Sequence, residues 1–309
     1  MAFLSVSIDL DEIDCYLAIH GLHGDAAGGS GHPVYERALP RIADFFDDLE
    51  IEGTLFVVGQ DIVDSKRAAD IRSFTARGHE IGNHTNTHPY DFSLKPTDIQ
   101  SREIATAHDA ILQATGSPPI GFRSPGYNTN MGIIELIKQH GYTYDSSIFP
   151  CPTYYAAKAG AIGIKSLLGR QSKSIMGDPR ILTSPTTPYR IGEDGVWCRS
   201  KDGLKELPIT VVTKARLPFI GTSVAMMGKL PVKMLAKQAA KMKVVNFELH
   251  GMDFLDADSD GLAFLKPHQP DLKIPLRKRR DRLETGIKTL LDAGLEPVPL
   301  REMAMRLFL

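Results

Sequence analysis

Residues 54–88 read TLFVVGQDIVDSKRAADIRSFTARGHEIGNHTNTH, and this stretch decides the fold class. Thr54–Val58 is a short run of β-branched and aromatic residues, which predicts a strand. Apolar residues at helical spacing predict a helix over Ile62–Arg77 that ends at Gly78, and His79–Gly82 predicts a second strand. A strand, a helix and a strand joined by short links are typical of parallel pairing.

The same alternation continues on both sides of this stretch. Further strands are predicted at Phe3–Ile8, Ile120–Phe122, Tyr142–Tyr144, Leu207–Val212, Val244–Glu248 and Glu296–Val298. Further helices are predicted at Val34–Leu49, Thr97–Thr115, Asn130–His140, Pro231–Met242 and Pro275–Ala293. His20–Pro33 predicts a loop, and the Pro- and Gly-rich region 150–203 predicts an irregular insertion. This order predicts either a parallel sheet covered by helices or a β/α barrel.

The composition fits a soluble globular protein and excludes several classes. The chain has 309 residues with 36 basic and 37 acidic side chains, so its net charge does not favour nucleic acid as a partner. The three cysteines lie far apart, which excludes a disulfide scaffold and a zinc ribbon. Apolar runs are too short to span a membrane, and Asp9 precedes any segment long enough for a signal peptide. We therefore expect a cytoplasmic protein.

Two acidic residues follow the first predicted strand. Asp9 and Asp11 lie two apart on an extended segment, so their carboxylates point the same way. Two like charges this close repel each other unless a cation or a shared proton intervenes. The pair predicts either a metal site or an acidic turn that caps a helix.

A histidine pair follows the strand predicted at His79–Gly82. His84 and His88 are four residues apart, a spacing that lets both bind one metal ion, although such pairs are often structural. Residue 85 is Thr, which excludes the zincin helix HExxH. Because each cluster follows a strand, Asp11, His84 and His88 are predicted to form a two-histidine, one-carboxylate site with positions open to water and substrate.

Two further segments carry residues suited to acid–base chemistry. Arg123 ends a predicted strand and could orient a buried carboxylate, or it could be a surface arginine beside a turn. Pro125-Gly126 predicts a tight turn whose backbone N–H groups could stabilise an oxyanion. His250 follows an apolar strand and could be a general acid or a structural core histidine.

Taken in this order, the motifs resemble the NodB-homology polysaccharide deacetylases, carbohydrate esterase family 4. The matching segments are Asp9-Leu10-Asp11, His84-Thr85-Asn86-Thr87-His88, Arg123-Ser124-Pro125 with Gly126 inserted before Tyr127, and Leu249-His250. The resemblance extends over about residues 4 to 300. It implies an α/β fold, with one deformed (β/α)7-type barrel forming a single domain over residues 1–309.

The resemblance also implies a role for each matching residue. Asp9 would be the base, Arg123 would orient it, and His250 would protonate the leaving amine. Asp11, His84 and His88 would hold one divalent ion, with Zn²⁺ the default and Fe, Mn, Co or Ni also compatible with this ligand set. Further substrate-binding residues are predicted at Tyr127, Gly126, Asn128 and Asp253. The family's aspartate that tunes the acid histidine has no convincing match in this sequence, because Asp145 precedes the expected place.

The form of the first motif is more similar to a cytoplasmic branch of the family. That branch includes peptidoglycan-deacetylase-like amidases, allantoinase-like hydrolases and lipid-linked formamido-arabinose deformylases. A basic helical face next to the apolar segment Leu217–Gly228 predicts peripheral contact with an anionic membrane through Lys229, Lys233, Lys237 and Lys241. The alternative for this face is an ordinary solvated surface.

The predicted reaction is hydrolysis of an N-acetyl or N-formyl amide on an amino sugar, either lipid-linked or free. Two alternatives are open. One is a hydrolase of a small soluble amide such as a ureide or cyclic imide, and the other is a non-catalytic binding protein on the same scaffold. An Fe(II) oxygenase would use similar ligands, but the β/α alternation argues against it.

Overall fold

The computed structural model describes residues 1–22, 31–167 and 173–308. The strands are β1 Phe3–Asp9, β2 Thr54–Val57, β3 Glu80–Asn83, β4 Gly121–Phe122, β5 Tyr144–Asp145, β6 Tyr189–Gly192, β7 Gly195–Ser200, β8 Lys205–Glu206, β9 Val211–Val212, β10 Leu217–Pro218, β11 Val244–His250 and β12 Glu296–Pro297. The helices are α1 Ile13–His20, α2 Leu39–Leu49, α3 Ser65–Ala76, α4 Thr97–Thr115, α5 Met131–Gln139, α6 Pro152–Leu167, α7 Gly221–Met226, α8 Lys229–Ala240, α9 Leu276–Asp292 and α10 Leu300–Leu307.

The main sheet has the strand order β11-β1-β2-β3-β4-β5-β8-β6-β7, with β12 paired to β1. Every pair from β11 to β8 is parallel, and the sheet curls into half a barrel. Beyond β8 the chain reaches the opposite edge of the sheet, where Thr210 N–H donates to Asn246 O at 3.1 Å. The predicted α/β class with a barrel-like sheet is confirmed, whereas a single domain over residues 1–309 stays a prediction.

The two faces of the central strands differ in chemistry. On β11, Val245, Phe247 and Leu249 belong to the hydrophobic core beneath the surrounding helices. The intervening Asn246 and Glu248 are also buried, but they point to the other face, because side chains alternate along a strand. The interior of the half-barrel is therefore polar, which is where a site can form.

Parallel strands bring all their carboxyl ends to one edge of the sheet. Asp9 at the end of β1 is in register with His250 at the end of β11. His84 directly follows β3 and Arg123 directly follows β4, and these two strands are paired. Residues that are distant in the sequence therefore meet at one rim. The opposite rim is closed by α10, whose Leu300 and Met303 pack in an apolar cluster.

The structure corrects several sequence-based predictions. The region 150–203 is not simply irregular, because it contains α6 and the antiparallel hairpin β6–β7, which joins the main sheet through β8. The predicted strand Leu207–Val212 is only partly a strand, since β9 covers Val211–Val212 in a separate two-stranded sheet. Helix α1 was not predicted. Residues 23–30 of the predicted loop His20–Pro33 lie outside the described residues.

Helix length and polarity bear on any membrane association. Across residues 1–22, 31–167 and 173–308, we find no helix with the length and apolar character needed to cross a bilayer.

Candidate active site

A fully buried ion pair joins the ends of β1 and β4. Arg123 Nη1 donates to Asp9 Oδ1 at 2.6 Å, and both side chains are almost completely shielded from solvent. Arg123 Nη2 also donates to the hydroxyls of Ser7 and Ser146, each at 2.9 Å, so the guanidinium has a fixed orientation. The other oxygen of Asp9 lies 3.7 Å from His84 Nε2. Burial raises the pKa of Asp9, although Arg123 and His84 oppose this.

Three side chains at the same rim form a compact group of potential metal ligands. His84 Nε2 lies 3.3 Å from Asp11 Oδ1, and His88 Nε2 lies 3.4 Å from Asp11 Oδ2. One ligand atom from each of the three residues lies within 4.8 Å of the others, and all three side chains are buried. A buried cluster of two imidazoles and a carboxylate is a set of donors typical of zinc and related divalent ions.

The hydrogen bonding of this group fits a metal ion. His84 Nδ1 lies 2.7 Å from Arg123 O, which fits an Nδ1–H donor and leaves Nε2 free to face Asp11. Neither ring nitrogen of His88 has a hydrogen-bond partner among the described residues, and neither does Asp11 Oδ1. Burial lowers the pKa of His88 to about 4, which keeps that imidazole neutral. Buried polar atoms without a hydrogen-bond partner are costly unless a ligand satisfies them.

The loop that carries the two histidines has a strained backbone with specific supports. Thr85 and His88 both adopt positive φ angles, 65° and 52°, which non-glycine residues rarely do. Asn83 Oδ1 accepts the Thr85 N–H at 2.7 Å, and Thr85 Oγ1 accepts the His88 N–H at 3.2 Å. The Glu103 carboxylate accepts the N–H groups of residues 86 and 87. These contacts turn the loop so that both imidazoles face Asp11.

His250 lies on the other side of Asp9 and has its own carboxylate partner. Its Nδ1 lies 2.8 Å from Glu248 Oε1, and the same oxygen accepts the Tyr127 hydroxyl at 3.0 Å. Glu248 is fully buried, whereas the His250 side chain is 23% exposed. Burial alone would lower the pKa of His250, but the Glu248 carboxylate reverses this effect and raises it well above the usual value. A protonated imidazole next to solvent is suited to donate a proton.

A cavity of about 350 Å³ opens directly above these groups. Asp9, Asp11, His84 and His250 line its base. Its walls are mainly aromatic and aliphatic side chains, contributed by Tyr16, Ile19, Tyr90, Tyr127, Tyr154, Ala157, Pro218, Ile220 and Met226. The cavity therefore combines a charged, hydrogen-bonded base with apolar walls, as binding sites for small organic groups commonly do.

Comparison with known proteins shows what part of this chain is similar to. Residues 30–144 match the family model for polysaccharide deacetylase. A curated chitooligosaccharide deacetylase of Rhizobium leguminosarum bv. phaseoli is 30% identical over 127 residues, which are 38% of this chain and 53% of that relative. This part of the chain is therefore similar to a polysaccharide deacetylase domain. A peptidoglycan deacetylase of Helicobacter pylori is 23% identical to it over 148 residues, 47% of this chain and 49% of that relative.

These matches leave much of the relatives unaligned. The chain spans about half the length of the two curated relatives. A solved structure of a candidate polysaccharide deacetylase from Mycobacterium smegmatis has a TM-score of 0.60 at 17% identity, over 99% of this chain and 90% of that one. This structural likeness supports the barrel-like fold of the chain. The assignment to a cytoplasmic branch stays a prediction.

The structure brings together most of the site residues that the sequence predicts. They are Asp9, Asp11, His84, His88, Arg123 and His250 at the rim, with Gly126 and Tyr127 in the cavity wall. Asp253 instead accepts the His250 backbone N–H at 2.9 Å. Asn128 is buried and is not among the residues lining the cavity. Their predicted contact with substrate stays untested.

Sequence reasoning missed Glu248 and the aromatic wall. Glu248 and His250 are two residues apart on one strand, so alternation could have placed both on the same face. Tyr16 and Tyr90 come from segments whose approach to the site depends on the packing of the whole barrel. Asp145 precedes the place where the family has the aspartate that tunes the acid histidine. In this structure Asp145 is opposite Glu206 in the β5–β8 register instead.

Proposed function

We propose that this chain is a metal-dependent hydrolase that removes an acetyl or formyl group from the nitrogen of an amino sugar. The observation that carries the proposal is the convergence at one rim of the sheet of a buried Asp–Arg pair, a two-histidine, one-carboxylate group and a histidine paired with a carboxylate. Hydrolysis of an amide requires a base, an electrophile and an acid within reach of one bond. The matched family acts on N-acetylated sugars, which supports this reaction class.

Asp11, His84 and His88 are the residues that would hold the ion. A bound divalent ion there would supply Lewis-acid chemistry, by lowering the pKa of a water molecule and polarising the amide carbonyl. Zn²⁺ is the default ion, while Fe, Mn, Co or Ni would suit the same donors. The neighbouring Asp9 would remove the proton from the attacking water. Arg123 occupies one oxygen of Asp9, which leaves the other oxygen on the side of His84 for this role.

The other half of the reaction needs an oxyanion donor and a proton donor. The Tyr127 N–H already donates to Ser124 O at 3.2 Å within the turn. We therefore assign the oxyanion contact to the neighbouring Gly126 amide, whose residue lines the cavity. His250 would protonate the leaving amine, because its protonated imidazole lies at the cavity base beside Asp9. The products would be a free amine and acetate or formate.

The apolar cavity wall favours a substrate that carries a lipid. Pro218 and Met226 line the cavity, and Met226 is 50% exposed. Helix α8 begins three residues later and exposes Leu230 and Met234 among its lysines. An apolar surface flanked by cations is suited to the interface of an anionic bilayer. We therefore place Lys229, Lys233, Lys237 and Lys241 at such a surface, with the lipid-linked sugar entering past Met226.

The decisive experiment measures acetate and formate released from a panel of N-acyl amino sugars. The panel contains the same N-acetyl and N-formyl sugars in free, nucleotide-linked and polyprenyl-phosphate-linked form, together with allantoin and a cyclic imide as small-amide substrates. The metal-loaded protein should turn over the lipid-linked sugars fastest. Faster turnover of the small amides would contradict the sugar assignment. A metal-loaded protein that binds the sugars without releasing either acid would identify a non-catalytic binding protein.

A further inference from the structure

Two features of the sequence depart from the family pattern at the same place in the structure. Gly126 is inserted before the aromatic residue of the third motif, and no aspartate matches the one that usually accompanies the acid histidine. In the structure the inserted glycine and the acid histidine are linked through Tyr127 and Glu248. The two departures are therefore parts of one arrangement.

Glu248 is positioned to hold His250 from within its own strand. The two residues lie on the same face of β11, and His250 Nδ1 is 2.8 Å from Glu248 Oε1. Because Glu248 is fully buried, water does not compete for this contact. An Nδ1–H that is committed to Glu248 leaves Nε2 as the ring nitrogen available to the cavity.

Tyr127 reaches Glu248 because of the unusual backbone before it. Gly126 and Tyr127 both have positive φ angles, 59° and 60°. Glycine adopts this conformation readily, and a β-carbon at residue 126 would lie only 3.2 Å from the Asn128 side chain. The turn directs the Tyr127 ring inward, where it is 5% exposed and packs edge-on against Phe149 and Tyr154. Its hydroxyl then donates to Glu248 at 3.0 Å.

We propose that Glu248, held in place by Tyr127, is the positioning residue that orients His250 for proton donation. This inference rests on the proposed function, in which His250 is the general acid. Glu248 and Tyr127 do not need to touch the substrate's reacting atoms to act in this way. The negative charge of Glu248 also favours the protonated imidazole, and the neighbouring Arg123 helps to keep Glu248 ionised.

The test compares Glu248→Gln and Tyr127→Phe with the wild-type metal-loaded protein. Glu248→Gln keeps the shape of the side chain but removes its charge, so kcat should fall by about 10- to 100-fold with KM nearly unchanged. The alkaline limb of the kcat/KM profile should move to lower pH, because His250 would lose its proton more easily. Tyr127→Phe should lower kcat by about 5-fold, the effect of one hydrogen bond. Glu248→Asp should recover part of the activity and of the pH profile.

The chain offers a matched pair of controls at the opposite rim. Tyr144 also donates its hydroxyl to a buried carboxylate, Glu80, at 2.9 Å. Tyr144→Phe and Glu80→Gln therefore make the same chemical changes in a similar buried setting, away from the cavity. Thermal unfolding would show how much stability each change costs. The controls should lose comparable stability and leave the pH profile unchanged.

An activity-independent measurement separates this inference from the proposed function. Nitrogen-15 NMR of labelled histidine, with His250→Asn used to assign the signal, reports which ring nitrogen carries the proton. Glu248→Gln should alter the His250 signal at a given pH. A folded Glu248→Gln protein with wild-type kcat, pH profile and His250 signal would overturn the inference. A wild-type protein inactive on the whole panel, but with a Glu248-dependent His250 signal, would overturn the proposed function while supporting the positioning contact.

Discussion

Asp9 and His250 are direct neighbours in the register of the parallel strands β1 and β11, although 241 positions separate them in the sequence. Each has a different charged partner. Arg123 binds Asp9 at 2.6 Å, while Glu248 binds His250 at 2.8 Å. A cation stabilises the carboxylate that would accept a proton, and an anion stabilises the imidazolium that would donate one. The base and the acid of the proposed reaction are thus held side by side, each by a partner of opposite charge.

Removing one imidazole should empty the candidate metal group. We expect about one divalent ion per wild-type chain. His84→Ala should hold almost none, because only two of the three ligands would be left. Activity should disappear together with the ion. Metal analysis of dialysed protein by mass spectrometry gives the measurement. His140→Ala removes a histidine outside the group and should leave the ion in place, whereas metal retained by His84→Ala at the wild-type level would rule out this assignment.

Replacing the proposed base should separate chemistry from metal binding. Asp9→Asn keeps the size of the side chain but cannot take up a proton, so kcat should fall by about 10²- to 10⁴-fold. The metal content should stay at the wild-type level, since Asp11, His84 and His88 are intact. Steady-state kinetics and metal analysis on the same sample give both values. Turnover retained by Asp9→Asn would remove Asp9 from the role of base.

A buried pair of carboxyls in the barrel interior should make stability fall with rising pH. Asp145 and Glu206 are opposite each other on β5 and β8, and both are fully buried. Burial and the neighbouring Asp145 raise the pKa of Glu206 well above its usual value. The folded chain therefore holds a proton that the unfolded chain releases at lower pH. The stabilisation that the protonated Glu206 carboxyl contributes is complete below its pKa in the unfolded chain, about 4.3. It is lost as the pH rises towards the pKa of Glu206 in the folded chain.

Glu206→Gln tests this expectation because glutamine is neutral at every pH. The melting temperature of the variant minus that of the wild type should increase as the pH is raised from 5 to 8. Calorimetry at several pH values would show the trend. Glu135→Gln changes an exposed glutamate and should give a difference that varies little with pH. If this difference in melting temperature between Glu206→Gln and wild type decreases with rising pH, Glu206 is ionised in the folded protein.

The lysines of α8 should matter for binding to anionic vesicles. Lys233 and Lys237 are exposed, and each lysine near such a surface contributes about 1 kcal/mol. The double variant Lys233→Gln and Lys237→Gln should therefore bind phosphatidylserine vesicles about 30-fold more weakly, as measured by co-sedimentation. Lys138→Gln with Lys201→Gln removes the same charge from other exposed positions. Equal binding by the two double variants would indicate that α8 has no special role.

The motif residues could be predicted because their positions depend on local patterns. Asp9, His84, Arg123 and His250 each follow a segment whose composition predicts a strand. Parallel strands bring such positions to a common rim, so an inference from strand ends was enough to group them. The strand boundaries were less certain, as β8 and β9 show, because pairing with neighbours decides where a short strand ends.

The contacts around those motifs depend on distances that no local pattern contains. Tyr127 follows a glycine turn, but only the folded barrel shows that its hydroxyl meets Glu248. The hairpin β6–β7 joins the main sheet through β8, which the Pro- and Gly-rich composition of 150–203 did not indicate. Asp145 meets Glu206 because two short strands happen to be adjacent in the sheet order.

By itself, the sequence determined the β/α alternation and the acidic and histidine residues at the strand ends, because side-chain periodicity and strand polarity act over a few residues. Tertiary structure alone decided which ionisable groups face each other: Arg123 with Asp9, Glu248 with His250, and Glu206 with Asp145. Electrostatic interactions depend on separation in space and on exclusion of water, and both arise only when the sheet curls and the helices bury its outer face.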